Sequence, residues 1–297
     1  MKVLITGALG YIGNELLLRL SKRPDISVIG LDNDSNAFRN YAGHWSRYEN
    51  IHLFYGDISN QHDLFAVGDV DIVIHLAAIV GYVDCGERPA DAHKTNIIGS
   101  QNVASLRRPT IFLSTGSVYG QIGPACSETT VPNPTSLYAT TKLQGEQFIS
   151  DNPSVIFRPA TAYGLGFKTR HDLLLHTLVR DAIKDGVIHL YEPHSERSLY
   201  SVAKIAELLE YTLDHFDMMS FAGVMNVGDE SGNVSKKGLC NLISQYVDFE
   251  LQLIEGKDRD NRNYSVDYSK LRRHWLNSRD NLDQNIKKIV EYYTWVK

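Results

Sequence analysis

The first thirteen residues constrain the fold more than any other stretch of this 297-residue chain. A short, mostly apolar run, Met1–Ile5, reads M-K-V-L-I and leads directly into Thr6–Gly13, which reads T-G-A-L-G-Y-I-G and has glycines at positions 7, 10 and 13. Ile12, Leu16 and Leu20 then recur every four residues, a spacing that puts them on one face of a helix. The segment therefore predicts a strand, a glycine turn and a helix.

Glycines in such a turn allow a ligand to approach the main chain. Gly7 and Gly10 can adopt backbone angles closed to other residues, and they carry no Cβ that would keep a ligand away. Gly13 lets the helix pack closely on the sheet, and the N-terminus of that helix offers N–H groups and a partial positive charge to a pyrophosphate. A turn that binds nothing explains these glycines equally well, so the interpretation depends on the rest of the chain.

Asp32 gives the first supporting signal. The next predicted strand, Ser27–Asp32, ends in this carboxylate, nineteen residues after Gly13. A dinucleotide-binding turn is followed after about 20 residues by an acidic side chain that binds the ribose 2′-hydroxyl. A carboxylate there repels a 2′-phosphate, and no arginine follows it directly. The pattern favours NAD over NADP.

Apolar runs alternate with helical patterns through the first half of the chain. Six segments predict strands: Lys2–Thr6, Ser27–Asp32, Ile51–Tyr55, Ile72–Leu76, Thr110–Ser114 and Ser154–Arg158. Such alternation is typical of a parallel sheet covered by helices on both faces. We therefore predict an α/β fold, a Rossmann-type doubly wound parallel sheet, whose cofactor-binding domain spans residues 1–165.

The alternation ends near residue 160, and the pattern becomes mixed. Four helices and two short strands are predicted there: His171–Lys184, Val202–His215, Ser235–Val247 with Ser235 as N-cap, Leu282–Tyr293, Val187–Tyr191 and Met225–Val227. We predict a smaller mixed C-terminal lobe, residues 166–297, that binds the substrate, with some crossing back of the chain. The two lobes are expected to close over one cleft.

Composition limits the possible functions. The net charge of −5 argues against non-specific nucleic-acid binding, and no apolar run approaches the ~20 residues that span a bilayer. The first residues do not form a signal-peptide pattern. Three widely spaced cysteines, Cys85, Cys126 and Cys240, predict neither a disulfide framework nor a metal site. We expect a cytoplasmic protein with no nucleic-acid or membrane partner and no metal.

A second informative pattern is the pair Tyr138 and Lys142. Their spacing of four places them on one helix face, about 5–6 Å apart at Cβ. A neighbouring ammonium lowers the pKa of a phenol, so the tyrosine can act as a general base on a hydroxyl at neutral pH. An isolated pair of this kind is usually a surface feature. Here the apolar run from Ile111 ends in hydroxyl residues that include Thr115, at the sheet edge where ligands bind.

Together these motifs resemble the extended short-chain dehydrogenases/reductases, in the NAD-dependent epimerase/dehydratase branch that acts on nucleotide sugars. The matching residues appear in the family's order over about the first 165 residues: T-G-A-L-G-Y-I-G at 6–13, Asp32, Asp57 with Ile58, H-L-A-A at 75–78, Asn96 with Gly99, S-T-G-S-V-Y-G at 114–120, Tyr138 with Lys142, and R-P-A-T-A-Y-G at 158–164. A weaker match continues at Arg197, Asn226–Gly228 and Arg262–Lys270.

The resemblance implies a role for each matched residue. Tyr138 is the implied catalytic base, Lys142 lowers its pKa, and Thr115 is the active-site hydroxyl. Cofactor contacts are implied for Gly7, Gly10, Tyr11, Ile12, Gly13, Asp32, Asn33, Asp57, Ile58, Leu76, Ala77, Ala78, Asn96, Tyr138, Lys142 and Pro159. Substrate contacts are implied for Thr115, Ser117, Thr161, Arg197 and Arg262. A turn residue is an equal alternative for Asp57, and a surface salt bridge is the alternative for Arg197.

The departures from the family pattern limit which reactions the chain is expected to catalyse. Related 4,6-dehydratases carry an Asp-Glu pair directly after the active-site threonine, whereas this chain has Gly116 and Ser117. Neither residue can act as a general acid or base, so dehydration is not expected. Thr161 stands where many relatives have asparagine, so the contact with the diphosphate is expected to differ.

The leading hypothesis is an NAD-dependent nucleotide-sugar epimerase, acting at C4 through a transient 4-keto sugar; the segment L-D-N at 31–33 is similar to UDP-galactose 4-epimerases. The alternative is a 4-keto-sugar reductase or a sugar dehydrogenase that exchanges NAD(P). A non-catalytic nucleotide-sensing member is a third hypothesis, against which the intact Thr115, Tyr138 and Lys142 argue. The resemblance also implies a homodimer that pairs through helices near 91–106 and 137–150.

Overall fold

The computed structural model describes residues 1–120, 125–256 and 265–296. Its strands and helices in chain order are β1 Lys2–Thr6, α1 Tyr11–Leu20, β2 Ser27–Asp32, α2 Ser35–Trp45, β3 Ile51–Tyr55, α3 Gln61–Ala66, β4 Ile72–His75, α4 Tyr82–Glu87, α5 Pro89–Ala92, α6 Gly99–Ser105, β5 Thr110–Leu113, α7 Leu137–Ile149, β6 Ser154–Pro159, β7 Thr161–Tyr163, α8 Leu174–Lys184, β8 Val187–Leu190, β9 Glu196–Ser201, α9 Val202–Asp214, α10 Phe216–Ala222, β10 Val224–Val227, β11 Asn233–Ser235, α11 Lys236–Ile243, β12 Glu250–Leu253, α12 Ser269–His274 and α13 Leu282–Trp295. A π-helical turn, His93–Ile98, joins α5 to α6.

Seven parallel strands form the central sheet in the order β10-β6-β5-β4-β1-β2-β3. The chain moves outward from β1 to β2 and β3 and then returns to place β4 on the other side of β1. Ligands of doubly wound sheets bind beyond the carboxyl ends of the strands at such a reversal. The predicted Rossmann-type fold is confirmed. A ligand site is therefore expected beyond the carboxyl ends of β1 and β4.

Local patterns predicted most element bounds correctly. The strands β1, β2 and β3 have the predicted limits, and β4, β5 and β6 differ by one residue at the C-terminal end. Ser235 caps α11 as predicted, since its hydroxyl accepts a hydrogen bond from the Gly238 amide at 3.0 Å. The helix predicted from His171 begins only at Leu174, after a segment that packs elsewhere in the structure.

One strand lies outside the predicted lobe. Met225–Val227 was expected in the smaller C-terminal lobe, but β10 is the seventh strand of the central sheet and pairs with β6. A strand of four residues, three of them apolar, carries no information about which sheet it joins, so this placement depends on long-range packing.

The second half of the chain also forms two small sheets, β11-β9-β7 and β12-β8. Helix α9 packs on α1, and both contribute to a core that also includes strands of the central sheet. A separate core lies among α8, α11, α13 and β8. In the described parts of the chain, no helix combines the length and apolar character needed to cross a membrane.

Candidate active site

A cleft of about 440 Å³ lies beyond the carboxyl ends of the central strands. It is lined by segments that follow β1, β2, β4, β5 and β6 and by part of α7. The cleft brings together most of the residues that the sequence singled out: Gly7, Gly10, Tyr11, Ile12, Gly13, Asp32, Asn33, Ile58, Leu76, Ala77, Ala78, Thr115, Tyr138, Lys142, Pro159 and Thr161.

The glycine turn packs closely against its own backbone and against the segment that follows β4. Gly7 has a φ of +70°, and a Cβ there would lie 2.7 Å from the Ala77 amide nitrogen. A Cβ on Gly13 would lie 2.3 Å from the Gly7 carbonyl oxygen. No side chain caps the N-terminus of α1 at Gly10 in the described structure. The turn therefore requires glycine, and the first amides of α1 are available to an anion.

Asp32 links the end of β2 to the glycine turn. One carboxylate oxygen accepts a hydrogen bond from the Leu9 amide at 2.8 Å, and the other accepts one from the Asp34 amide at 2.9 Å. Burial raises the pKa of Asp32, while these amides and Lys168 oppose that shift. Since Asp32, Asn33 and Asp34 all line the cleft, this end suits a ribose with free hydroxyls better than a phosphorylated one.

Tyr138 and Lys142 lie on the first turns of α7, which Ser136 caps by accepting a hydrogen bond from the Ala139 amide at 3.2 Å. The Lys142 side chain is buried, and its Nζ lies 4.0 Å from the centre of the Phe112 ring. Burial lowers the pKa of Lys142 to about 7, although the negative charge of Glu146 raises it in part. The predicted pair therefore shares one cleft wall, with the lysine in a dry environment.

Thr115 lies just beyond β5 and lines the cleft, as predicted. Its hydroxyl donates to Ser117 Oγ at 3.1 Å and accepts a hydrogen bond from the Ser117 amide at 3.1 Å. Ser117 itself is buried and does not line the cleft. In this structure Ser117 orients Thr115, and its predicted contact with a substrate remains a prediction.

Two predicted cofactor residues lie beside the cleft and are absent from its lining. Asn96 is buried, and its side-chain amide pairs with the Ile79 backbone at 2.8 and 2.9 Å and donates to Thr141 Oγ1 at 3.0 Å. Asp57 accepts hydrogen bonds from the amide and hydroxyl of Ser59 at 2.8 and 2.7 Å. Asn96 thus holds the segment after β4, and Asp57 stabilises its own turn, while contact of either residue with the cofactor remains a prediction.

Arg197 also lies away from the cleft lining. It is buried in β9, where its guanidinium donates to Ser195 Oγ at 2.6 Å and to the Glu196 carbonyl at 3.0 Å. The alternative for Arg197 was a salt bridge on the surface, and this alternative does not fit a side chain that is buried. Arg262 lies outside the described residues.

A buried ionic network that sequence reasoning missed lies behind the cleft wall that carries Tyr138 and Lys142. Glu146 binds Arg158 through two hydrogen bonds of 3.0 and 2.7 Å, and Ser114 donates to the same carboxylate at 2.5 Å. The Tyr119 hydroxyl accepts a hydrogen bond from Arg158 at 3.2 Å. Glu146 is four residues beyond Lys142, so its place on the same helix face was a signal that could have revealed it.

Three further cleft residues come from the segment between β7 and α8. Lys168, Arg170 and Leu173 line the cleft together with the glycine turn and Asp32. No motif in the sequence indicates these residues. They reach the cleft because the segment between β7 and α8 folds back against it.

The comparisons agree with this geometry. A model of the NAD dependent epimerase/dehydratase family matches residues 3–228. The chain belongs to this family. The resemblance inferred from the motifs is thereby confirmed, and the family match extends past the first half of the chain into β10.

Curated relatives match a part of their own length. The UDP-glucose 4-epimerase of Erwinia amylovora is 31% identical over 163 residues, which are 51% of this chain and 48% of the relative. UDP-glucuronate 4-epimerase 2 of Arabidopsis thaliana is 30% identical over 214 residues, which are 65% of this chain and 48% of the relative. The chain thus spans about half the length of these relatives.

Solved structures show the fold over the whole chain. The UDP-glucuronic acid 4-epimerase from Bacillus cereus, in complex with UDP-glucuronic acid and NAD, has a TM-score of 0.86 at 23% identity and covers 100% of both chains. The UDP-Glc/GlcNAc 4-epimerase from Campylobacter jejuni has a TM-score of 0.79 at 22% identity and covers 99% of both. At such identities the likeness concerns the fold.

Proposed function

We propose that this chain is an NAD-dependent nucleotide-sugar epimerase that acts at C4. The observation that carries the proposal is that Thr115, Tyr138 and Lys142 line the same cleft as the glycine turn and Asp32. The similar proteins named above are UDP-sugar 4-epimerases, which supports this class of substrate and reaction.

The residues of the cleft fit NAD as the cofactor. The amides at the start of α1 bind the pyrophosphate, and Asp32 binds the hydroxyls of the adenosine ribose. Ile58 and Leu76–Ala78 form the apolar wall for the remaining parts. The bound cofactor supplies the reversible acceptance of hydride that a 4-keto intermediate requires.

The catalytic work of the chain itself is proton transfer. Tyr138 removes the proton from the C4 hydroxyl of the sugar and later returns it. Lys142 in its protonated form favours the phenolate, and it lies four residues along the same helix. Thr115 reaches the cleft beside them and hydrogen-bonds the reacting oxygen. These three residues form the proposed catalytic set.

The two residues that follow Thr115 do not provide the groups that a dehydration would need. Gly116 and Ser117 follow it in a buried 3-10 turn, where related dehydratases carry two carboxylates. Neither residue can remove a proton from C5 or protonate the leaving hydroxyl at C6. These two positions therefore do not support dehydration, and reversible oxidation at C4 is the proposed chemistry.

The substrate contacts are proposed for both halves of the chain. Thr161 lines the cleft in β7, and Arg197 lies in the neighbouring β9, where Leu199 pairs with Thr161. A guanidinium binds a diphosphate strongly through two parallel hydrogen bonds, so Arg197 is the proposed contact for that group. Ser117 and Arg262 complete the proposed set of substrate residues.

Product analysis tests the reaction directly. The purified protein is incubated in heavy water with UDP-, GDP-, CDP- and dTDP-sugars, and proton NMR follows inversion, reduction and deuterium uptake. We expect inversion at C4 without accumulation of reduced cofactor. Stoichiometric consumption of added NADH or NADPH would instead establish the reductase alternative and overturn the epimerase proposal.

A single hydroxyl deletion tests the catalytic assignment. Tyr138→Phe removes the base and is expected to lower kcat by at least about 100-fold, since general base catalysis contributes 10²–10⁴-fold. Tyr246→Phe is the matched control, because its exposed hydroxyl binds Asp283 at 2.8 Å, outside the cleft. Activity of Tyr138→Phe within a few fold of the control would contradict the assignment.

We also propose a homodimer that works in the cytoplasm. Ile98 and Leu137 expose apolar side chains on the helical segments expected to pair. Cys85, Cys126 and Cys240 are unpaired and buried, which suits a reducing compartment. Light scattering is expected to give twice the mass of one chain, and a monomer at micromolar concentration would overturn the dimer.

A further inference from the structure

The segment Gly164–Leu173, which we call the strap, runs past the cofactor half of the cleft. It joins β7 to α8 without forming a helix or strand of its own. Three of its residues, Lys168, Arg170 and Leu173, line the cleft together with the glycine turn and Asp32. A ligand held by the glycine turn therefore has the strap as a second wall.

Successive strap residues contact the elements that form the nucleotide site. The Tyr11 hydroxyl donates to the Gly164 carbonyl at 2.5 Å, and the Phe167 amide donates to the Glu15 carboxylate at 2.8 Å. Lys168 Nζ then lies 2.9 Å from an Asp34 carboxylate oxygen. The strap thus follows α1 from its N-terminus and reaches the segment after β2 at Lys168.

An aromatic cluster anchors the middle of the strap. The Phe167 ring packs against the rings of Tyr41, His44 and Trp45 on α2, at centroid distances of 5.3, 4.7 and 5.2 Å. Trp45 is fully buried and donates to Asn14 Oδ1 at 2.9 Å. Because this contact is between rings and one of them is a buried side chain, salt does not screen it.

The Lys168–Asp34 pair is a weaker tie at the rim of the cleft. Its side chains are 33% and 39% exposed, and the pair spans the opening between the strap and the start of α2. Ion pairs with this exposure contribute little free energy and are screened by salt. This contact can therefore open while the Phe167 anchor remains in place.

We propose that the strap closes over the adenosine half of the bound dinucleotide and that the Lys168–Asp34 pair is a latch that slows its release. The inference rests on the proposed function, since it assumes that the cleft binds NAD. It also bears on that function, because an epimerase that regenerates its NAD in every cycle gains from slow release, whereas a reductase must exchange its cofactor.

The release rate of NADH tests the latch without measuring activity. Bound NADH is displaced by excess NAD, and the loss of its fluorescence is followed by stopped flow. Lys168→Met is expected to speed release about two- to fivefold, the effect of one exposed ion pair. Raising the salt concentration is expected to speed release from the unmodified protein and to have little effect on Lys168→Met.

Two further variants separate a latch from a direct contact between Lys168 and the cofactor. Asp34→Asn keeps an acceptor for the α2 N-cap bonds to Asn36 and Ala37 but removes the charge that holds Lys168. It is expected to match Lys168→Met, and the double variant is expected to release NADH no faster than either single variant. Lys204→Met, which removes an ion pair with Glu207 outside this cleft, is the control and should leave release unchanged.

The outcomes distinguish the two proposals. If the unmodified protein binds neither NAD nor NADH, the proposed function fails, and the latch fails with it. If it binds NADH but Lys168→Met and Asp34→Asn release it at the original rate with the original salt dependence, the latch is wrong and the epimerase proposal stands. Additive effects of the two variants would show independent contacts and would also overturn the latch.

Discussion

The buried pair of Glu146 and Arg158 joins the elements that carry the catalytic side of the cleft. Glu146 lies on α7 below Lys142, Arg158 lies in β6, and Ser114 donates to Glu146 from the end of β5 at 2.5 Å. The two charged side chains are only 7% and 6% exposed. Water therefore cannot replace the partner that a substitution removes.

Glu146→Gln keeps the size of the side chain and removes its charge. Burial lowers the pKa of Arg158, but the hydrogen bonds and charge of Glu146 outweigh that effect, so the net pKa is raised. Without this charge the guanidinium stays buried and uncompensated, which costs about 3–5 kcal/mol. A typical domain has a free energy of unfolding of about 5–15 kcal/mol, so this is a large fraction.

Urea denaturation measures this loss, with tryptophan fluorescence as the signal because Trp45 and Trp275 are buried. Arg108→Gln is the control, since its 3.0 Å ion pair with Asp69 is exposed and should contribute less than about 1 kcal/mol. A double variant, Glu146→Leu with Arg158→Met, should recover part of the stability by removing both charges. If Glu146→Gln costs no more than the control, the reasoning from burial is refuted.

Two other predictions follow from the cleft and the helix beside it. Gly7→Ala should weaken NAD binding about tenfold or more by calorimetry, because its Cβ would lie 2.7 Å from the Ala77 amide nitrogen at a φ of +70° and would displace the turn; unchanged affinity would show that the position of this turn does not determine NAD binding. Burial lowers the pKa of His176 to about 4, so the free energy of unfolding should fall as pH drops from about 6.5 to 4, by up to about 3 kcal/mol. His176→Gln should lack this decrease, and an equal decrease in both proteins would assign it to other groups.

Sequence patterns predicted the first half of the fold because its signals are local. Each strand from β1 to β6 is an apolar run bounded by polar or turn residues, and its place in the sheet follows from the order of a doubly wound fold. Gly7, Asp32 and Tyr138 lie in one cleft for the same reason. The carboxyl ends of parallel strands meet at one edge, so residues far apart in the chain converge there.

The remaining parts of the site depend on contacts that no local pattern encodes. Lys168 and Arg170 reach the cleft only because the strap crosses α1 and α2, and the Phe167 anchor that holds it uses rings from residues 41–45. Asn96 and Asp57 match the family motif, but the motif does not reveal the hydrogen bonds that they form with Ile79 and with Ser59.

The second half of the chain packs against α1, the helix that is proposed to bind the pyrophosphate. Helix α9 packs along α1 in the shared core, and Arg19 on α1 binds Glu210 on α9 at 2.6 Å. The same half adds β10 to the central sheet and supplies the strap. The boundary at residue 165 remains a prediction, and residues on both sides of it contribute to one shared core. Closure of the cleft is then set by the strap, because a helix and a strand buried in that core are poorly placed to move with the ligand.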